Sequence, residues 1–260
     1  MELNLTGKTA LITGASKGIG YACALTLAAE GCNLHLAARN GDALNALKAR
    51  IEAEYDVIVT LHPADLGTTE SMTALDTAVG DYDILINNAG DIPAGSIEDV
   101  TDEELRKGFD LKVFGYITLS RLFWQKRKGK ADSVIINVIG NSGENWDASY
   151  FAGSTGNASL MSFTKALGGR SLDEGIRVVG VNPGPVDTDR MLKIMKRKAI
   201  DMLGDESRWE ELYAKYPGKR PATAQEVADL CAFLASPKAG YISGTVITID
   251  GGIAARGSVI

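Results

Sequence analysis

Residues 9–20 read Thr9-Ala10-Leu11-Ile12-Thr13-Gly14-Ala15-Ser16-Lys17-Gly18-Ile19-Gly20, an apolar run that breaks into a glycine-rich turn and passes at once into a helical pattern. A strand that reverses direction so abruptly favours glycine, which has no Cβ to obstruct the turn. Glycine also lets the backbone approach a pyrophosphate closely and lets the helix pack tightly on the strand. The helix that follows offers free N–H groups and the positive end of its dipole to phosphates. The spacing is G-x-x-x-G-x-G, with Gly14, Gly18 and Gly20 as its glycines.

Outward from this turn the same alternation repeats. Strands are expected at 9–13, 33–38, 57–62, 84–87, 134–138, 178–182 and 246–249, with helices near 18–30, 41–54, 68–79, 101–128, 150–173, 188–215 and 225–235. Strand–helix alternation implies parallel strands joined by right-handed crossovers. Segments such as Ile84–Asn87 and Val134–Val138 are apolar on both faces, as a sheet covered on both sides requires. The expectation is a single doubly wound α/β domain over residues 1–260, with a mostly parallel seven-stranded sheet. Ligands in such sheets bind at the carboxyl ends of the strands, where the strand order reverses.

Composition narrows the function. Apolar residues make up 45% and charged residues 23%, ordinary values for a chain with a packed core. The net charge is −6 and no basic block stands out, so nucleic acid is not an expected partner. No stretch is long and apolar enough to span a membrane. No leader peptide is expected, because Lys8 and Thr9 interrupt the start before an apolar run forms. Cys23, Cys32 and Cys231 are scattered and odd in number, which reads as reduced buried thiols of a cytoplasmic protein. His35 and His62 are the only histidines, neither with a second soft ligand close by in sequence, so no metal site is expected.

The G-x-x-x-G-x-G turn resembles that of the short-chain dehydrogenase/reductase family, and other segments agree. Asn87-Asn88-Ala89-Gly90 follows the fourth expected strand, where the family carries N-N-A-G. Asn182-Pro183-Gly184-Pro185-Val186 with Thr188 matches the family's P-G-x-x-x-T segment. Asp65-Leu66 follows the third strand, where the family's Asp meets adenine, and Asp250-Gly251-Gly252 matches the usual tail. The resemblance spans essentially the whole chain. It implies a Rossmann-type nicotinamide dinucleotide fold, an oxidoreductase, and a homotetramer or homodimer. The implied cofactor-binding residues are Gly14, Ser16, Lys17, Gly18, Ile19 and Gly20 in the first turn. Asp65, Leu66, Asn88, Ala89 and Gly90 follow the third and fourth strands, and Pro183, Gly184, Val186 and Thr188 the sixth.

The second strand decides which dinucleotide. An acidic residue at its end would bind the ribose 2′-hydroxyl of NAD. The sequence there is Leu36-Ala37-Ala38-Arg39-Asn40, with no carboxylate. Arg39 is placed for a 2′-phosphate and Lys17 adds a second cation, a strong charge-assisted pair for a dianion. NADP(H) is favoured over NAD(H).

The expected reaction centre departs from the family, whose tetrad is Asn, Ser, Tyr and Lys. Phe163-Thr164-Lys165-Ala166-Leu167 sets the register of the helix that carries Tyr and Lys. Counting back puts Gly153 at the Tyr position and Asn157 at the Lys position. Asn137-Val138-Ile139-Gly140 puts Gly140 at the Ser position, thirteen residues before Gly153, which is the family's spacing. Asp110-Leu111-Lys112-Val113-Phe114-Gly115 puts Lys112 at the Asn position. Phe151 and Thr155 offer an alternative register that restores neither group. Asn and Lys have therefore exchanged places, and Lys112 is the candidate cation, with Asn157 its expected orienting partner. Tyr150 lies three residues before Gly153, and its phenol could lean into the space a glycine leaves. Ser142, with Asn141 and Glu144, belongs to the loop bordering the substrate. The candidate catalytic set is Lys112, Tyr150, Asn157 and Ser142.

Residues 188–215 are expected to form a substrate flap, an amphipathic helix whose solvated basic face carries Arg190, Lys193, Lys196, Arg197 and Lys198; attraction of an acidic substrate is the weaker reading of that face. The sequence therefore supports an NADP(H)-dependent oxidoreductase acting on a small carbonyl or alcohol through a non-standard proton relay. A dinucleotide-binding sensor or inactive homologue is the alternative. A different reaction on the same scaffold, such as that of a lyase, stays open.

Overall fold

The computed structural model describes residues 1–256. Seven strands form one parallel sheet in the order β3-β2-β1-β4-β5-β6-β7. They are β1 (Thr9–Thr13), β2 (Asn33–Ala38), β3 (Val59–Pro63), β4 (Ile84–Asn87), β5 (Ser133–Val138), β6 (Ile176–Pro183) and β7 (Thr245–Ile249). The order reverses between β1 and β4, so the crevice for a ligand opens at their carboxyl ends. The helices are α1 (Gly18–Ala29), α2 (Gly41–Glu54), α3 (Thr69–Val79), α4 (Asp102–Phe109), α5 (Gly115–Arg127), α6 (Phe151–Gly168), α7 (Asp189–Leu203) and α8 (Ala224–Ala235).

Both faces of the sheet are covered. Leu27 of α1, Leu44 of α2 and Val227 of α8 share one cluster with Ile12, Leu34 and Ile136. Leu75 of α3 and Phe123 of α5 pack with Leu11, Leu85 and Ile135 on the other face. Burial on two sides explains why β5 and β6 are apolar at almost every position. Two of the polar exceptions form a ladder with α6. Asn87 Nδ2 donates to Asn137 Oδ1 at 2.9 Å and Asn137 Nδ2 to Thr164 Oγ1 at 2.9 Å. This buried ladder ties the carboxyl ends of β4 and β5 to α6, directly beneath the crevice.

Three expected helices are each divided. The segment 101–128 is broken at Asp110–Phe114 by a π-helical turn, which widens the spiral and redirects the side chains it carries. The segment 188–215 stops at Gly204, whose left-handed backbone (φ 73°) ends α7, and continues as a 3₁₀ stretch over Glu206–Lys215. The segment 150–173 ends as α6 at Gly168, with a separate 3₁₀ turn at Ser171–Glu174.

The histidines also require a correction. They are far apart in sequence, but β2 and β3 are neighbours, and His35 Nδ1 lies 2.9 Å from His62 Nε2 with the rings stacked. Burial lowers the pKa of both. Among the described residues no group of three or more His, Cys, Asp or Glu is placed to hold a metal.

Candidate functional site

The first turn is locked to the end of β4. Thr13 Oγ1 accepts from the backbone N–H of Asn88 at 2.9 Å and of Ala89 at 3.1 Å. Asn88 Nδ2 donates back to the carbonyls of Thr13 at 3.0 Å and Gly14 at 3.3 Å. A Cβ on Gly14 would lie 2.9 Å from Asn88 Nδ2, and one on Gly20 would collide with the Gly14 carbonyl. Both positions therefore exclude any side chain. Side chains cap α2, α3, α4, α7 and α8 through Asn40, Thr68, Thr101, Thr188 and Thr223. No side chain caps α1 at Lys17, so the N–H groups of its first turn stay available to an anion.

A cleft of about 540 Å³ opens over this turn. Gly14, Ser16, Lys17, Gly18 and Ile19 form its floor, and Arg39 and Asn40 form the wall at the end of β2. Asp65 and Leu66 follow β3, Asn88, Ala89 and Gly90 follow β4, and Thr188 closes the far side. Gly20, Pro183, Gly184 and Val186 do not line it. Gly20 sits under the turn, Gly184 packs on Asp250, and Val186 pairs with Ala222 in a short bridge. A glycine floor, an uncapped helix and two flanking cations form a donor set that fits a dinucleotide. Asp91 and Arg190 also line the cleft; neither is among the expected site residues, though Arg190 belongs to the flap's basic face, for which attraction of an acidic substrate is the weaker reading. Asp91 lies 3.5 Å from Arg39 and 3.9 Å from Arg190. The available signals were position alone: Asp91 follows Gly90 directly, and Arg190 lies in the first turn of α7.

The expected catalytic residues Lys112, Tyr150, Asn157 and Ser142 do not line this cleft, but Lys112 touches its edge at Gly90. The stem of Lys112 crosses Gly90, where a Cβ would lie 2.9 Å from Lys112 Cδ. Its ammonium donates to the Ile139 carbonyl at 2.6 Å. Burial, with the like charge of Arg190, lowers its pKa to about 7. Tyr150 immediately precedes α6 with non-helical backbone (φ −143°, ψ 38°), so it is not part of that helix. Its ring nevertheless occupies the space above Gly153, where a Cβ would fall within the ring. Burial raises the phenol's pKa, opposed by the charge of Arg190. Lys112 and Tyr150 thus both lie within the field of one guanidinium.

Asn157 does not reach Lys112. Its Nδ2 donates to Ser142 Oγ at 2.7 Å, which corrects the expectation that it orients the lysine. Its Oδ1 is buried without a donor among the described residues. Gly140 has φ 132°, and a Cβ there would lie 2.8 Å from Asn157 Nδ2. Asn157, Ser142 and Gly140 form one tight contact, next in sequence to Ile139, whose carbonyl accepts from Lys112.

A family model described as Enoyl-(Acyl carrier protein) reductase matches residues 14–254. The chain belongs to the short-chain dehydrogenase/reductase family, a class of oxidoreductases built on this sheet. It is 32% identical over 260 residues to the NADPH-dependent reductase BacG of Bacillus subtilis (strain 168), covering 95% of this chain and 98% of the relative. It is 34% identical over 256 residues to the 3-oxoacyl-[acyl-carrier-protein] reductase FabG of Escherichia coli (strain K12), covering 96% and 99%. The L-sorbose reductase of Gluconobacter frateurii, solved with NADPH and L-sorbose, superimposes with a TM-score of 0.91 at 30% identity, covering 98% of this chain and 99% of that one.

Proposed function

We propose that this chain is an NADP(H)-dependent reductase of a small carbonyl compound, or the dehydrogenase of the matching alcohol, with a proton relay built from Tyr150 and Lys112. The cofactor assignment draws on Arg39 and Lys17 at the cleft wall and on the NADPH named for BacG and the sorbose reductase. When bound, NADPH supplies a hydride to the carbonyl carbon. Arg39 and Lys17 hold the 2′-phosphate, and the first turn of α1 holds the pyrophosphate.

The observation that carries the reading is the Tyr150 ring lying where a side chain of residue 153 would stand. In the family's pattern Gly153 takes the place of the tyrosine, Asn157 of the lysine, Gly140 of the serine and Lys112 of the asparagine. The phenol returns to the vacant position from three residues upstream. Lys112 supplies the cation from the neighbouring helix and hydrogen-bonds the Ile139 carbonyl. The phenol donates its proton to the substrate oxygen as that oxygen gains negative charge. The ammonium stabilises the resulting phenolate, and its pKa near 7 lets it pass a proton on near neutral pH. Ser142 and Asn157 border the substrate.

The described part of the expected 1–260 domain acts as one unit in this reading, residues 257–260 lying outside the described residues, with 188–215 as a flap that carries Arg190 at the cleft. A cytoplasmic homotetramer or homodimer completes it, and the burial of Cys23, Cys32 and Cys231 as free thiols supports a reducing compartment.

The test has two stages. NADPH and NADH titrations should show tighter NADPH binding. A panel of ketones and aldehydes, followed by loss of nicotinamide absorbance, should show turnover that Tyr150→Phe abolishes. NADPH binding without turnover across the panel favours the sensor instead, and undiminished turnover in Tyr150→Phe removes the phenol from the relay.

A further inference from the structure

The charges at the reaction end of the cleft do not balance. Lys112 is a part-buried cation whose polar partner is a neutral carbonyl oxygen. The charge that acts on it is that of Arg190, which has the same sign. A buried ammonium without a counter-ion is costly. Arg190 itself is weakly matched. Asp91 is 65% exposed, lies 3.9 Å away and is shared with Arg39, so this pair is loose. Asp189, the carboxylate of the flap that lines the cleft, is exposed and forms no ion pair among the described residues.

Arg190 is held in place all the same. Its Nη2 donates to the Ile92 carbonyl at 2.8 Å, which fixes the guanidinium against the loop after β4 while leaving other N–H donors free. A planar fork so anchored, beside an uncompensated ammonium and a phenol, is suited to a carboxylate. When a 2′-phosphate takes Arg39, Asp91 alone remains near Arg190, and Lys112 still has no anion.

We propose that the substrate is an oxo carboxylic acid, its carboxylate held by Arg190 and its carbonyl oxygen directed to Tyr150 and Lys112. This rests on the reductase reading above. In the forward direction the carbonyl carbon gains a hydride from the reduced nicotinamide and the oxygen gains a proton from the relay. The products are a hydroxy acid and the oxidised cofactor, and the carboxylate leaves unchanged. Arg190 is then the specificity-determining residue, and its place on α7 makes the flap the reader of substrate charge.

The experiment separates binding from chemistry. Protein saturated with NADPH is titrated calorimetrically with 4-methylpentanoate, which has a carboxylate but no reducible carbonyl, and with its neutral amide. The carboxylate should bind at least about tenfold tighter. Arg190→Gln should erase that preference and Arg190→Lys should keep part of it, with melting temperatures reporting the fold of each variant. Equal binding of acid and amide by the unaltered protein overturns the proposal, as does an intact preference in Arg190→Gln. Turnover of 4-methyl-2-oxopentanoate is measured alongside. A carboxylate preference with no NADPH oxidation by this acid or by any member of the ketone and aldehyde panel leaves the anion site standing and defeats the reductase reading.

Discussion

Two loops at the carboxyl ends of the strands on either side of β4 use glycine for opposite purposes. After β1, the positions of Gly14 and Gly20 are closed by the turn's own backbone and by Asn88. The absence of side chains there shapes a main-chain cradle. After β5 and along α6, the positions of Gly140, Gly143, Gly153 and Gly156 are filled by the side chains of Asn157, Met161, Tyr150 and Ile92. The absence of side chains there admits side chains from elsewhere. The first arrangement is backbone geometry, which tolerates little change because phosphate recognition depends on N–H groups held in place. The second is side-chain occupancy, which can be redistributed among positions if the groups still converge.

The sharpest way to break this comparison is Lys112→Met, which keeps the apolar stem over Gly90 and removes the ammonium. If the redistributed centre works, turnover should fall about 10²-fold or more, the scale of a lost acid–base group. NADPH affinity, which depends on the first loop, should change little. The pH profile gives an independent reading. Burial holds the Lys112 ammonium at about 7, so its charged form dominates below that pH and is lost above it. Reduction should therefore slow as pH rises through about 7 in the unaltered protein, and this limb should vanish in the variant. Equal turnover of the two proteins would mean that the second loop has no relay.

Gly153→Ala tests the same loop through packing alone. A methyl group there falls within the Tyr150 ring, so the phenol must leave its place. Displacing a reacting group by about 1 Å can cost on the order of 10²-fold, and a loss of roughly tenfold or more is expected. A fluorescence or NMR probe of Tyr150 should report the displacement. Turnover equal to that of the unaltered protein would show that the ring's position is incidental.

The two loops also differ in how much of them can be read from sequence. The cradle was legible because its requirements are local: glycine spacing, a strand before and a helix after. Arg39 was legible for the same reason, since it directly ends β2. Tyr150 could be anticipated because it lies one turn from Gly153. The meeting of Arg190 with Asp91 could not, because it depends on where α7 crosses the loop after β4; the sequence showed Arg190 only as one cation of the flap's basic face. Asn157 bonding to Ser142, and His35 meeting His62, were hidden for the same reason. Each pairing is set by loop path or strand order, which spacing along the chain does not encode. The breaks inside the expected helices at 101–128 and 188–215 were partly visible as Gly108, Gly115 and Gly204, but the π-helical turn that aims Lys112 leaves no simple periodic signal.

A smaller effect is expected on the cradle's wall. Arg39→Asp removes a guanidinium facing the 2′-phosphate and places a carboxylate where a ribose 2′-hydroxyl would donate to it. The preference between NADPH and NADH should reverse, by about 1–3 kcal/mol if one charge-assisted contact is lost. Isothermal titration of both cofactors gives this directly. Unchanged selectivity would assign phosphate recognition to Lys17 and the helix terminus instead.

The smallest effect concerns Asp91, which stands between the two regions and touches a cation of each. Its carboxylate lies 3.5 Å from Arg39 and, on the proposed cofactor reading, would compete with the 2′-phosphate for that guanidinium. Both side chains are mostly exposed, so solvent screens the pair and its release costs little. Asp91→Asn keeps the size and removes the charge. NADPH should bind about two- to fivefold tighter, because Arg39 no longer leaves a partner. NADH, which lacks the phosphate, should bind as before. The gain should shrink at high salt, since screening already weakens the competing pair. An equal change for both cofactors would mean that Asp91 acts on the shape of the loop after β4 rather than on Arg39, and the two regions would then be joined by packing and not by charge.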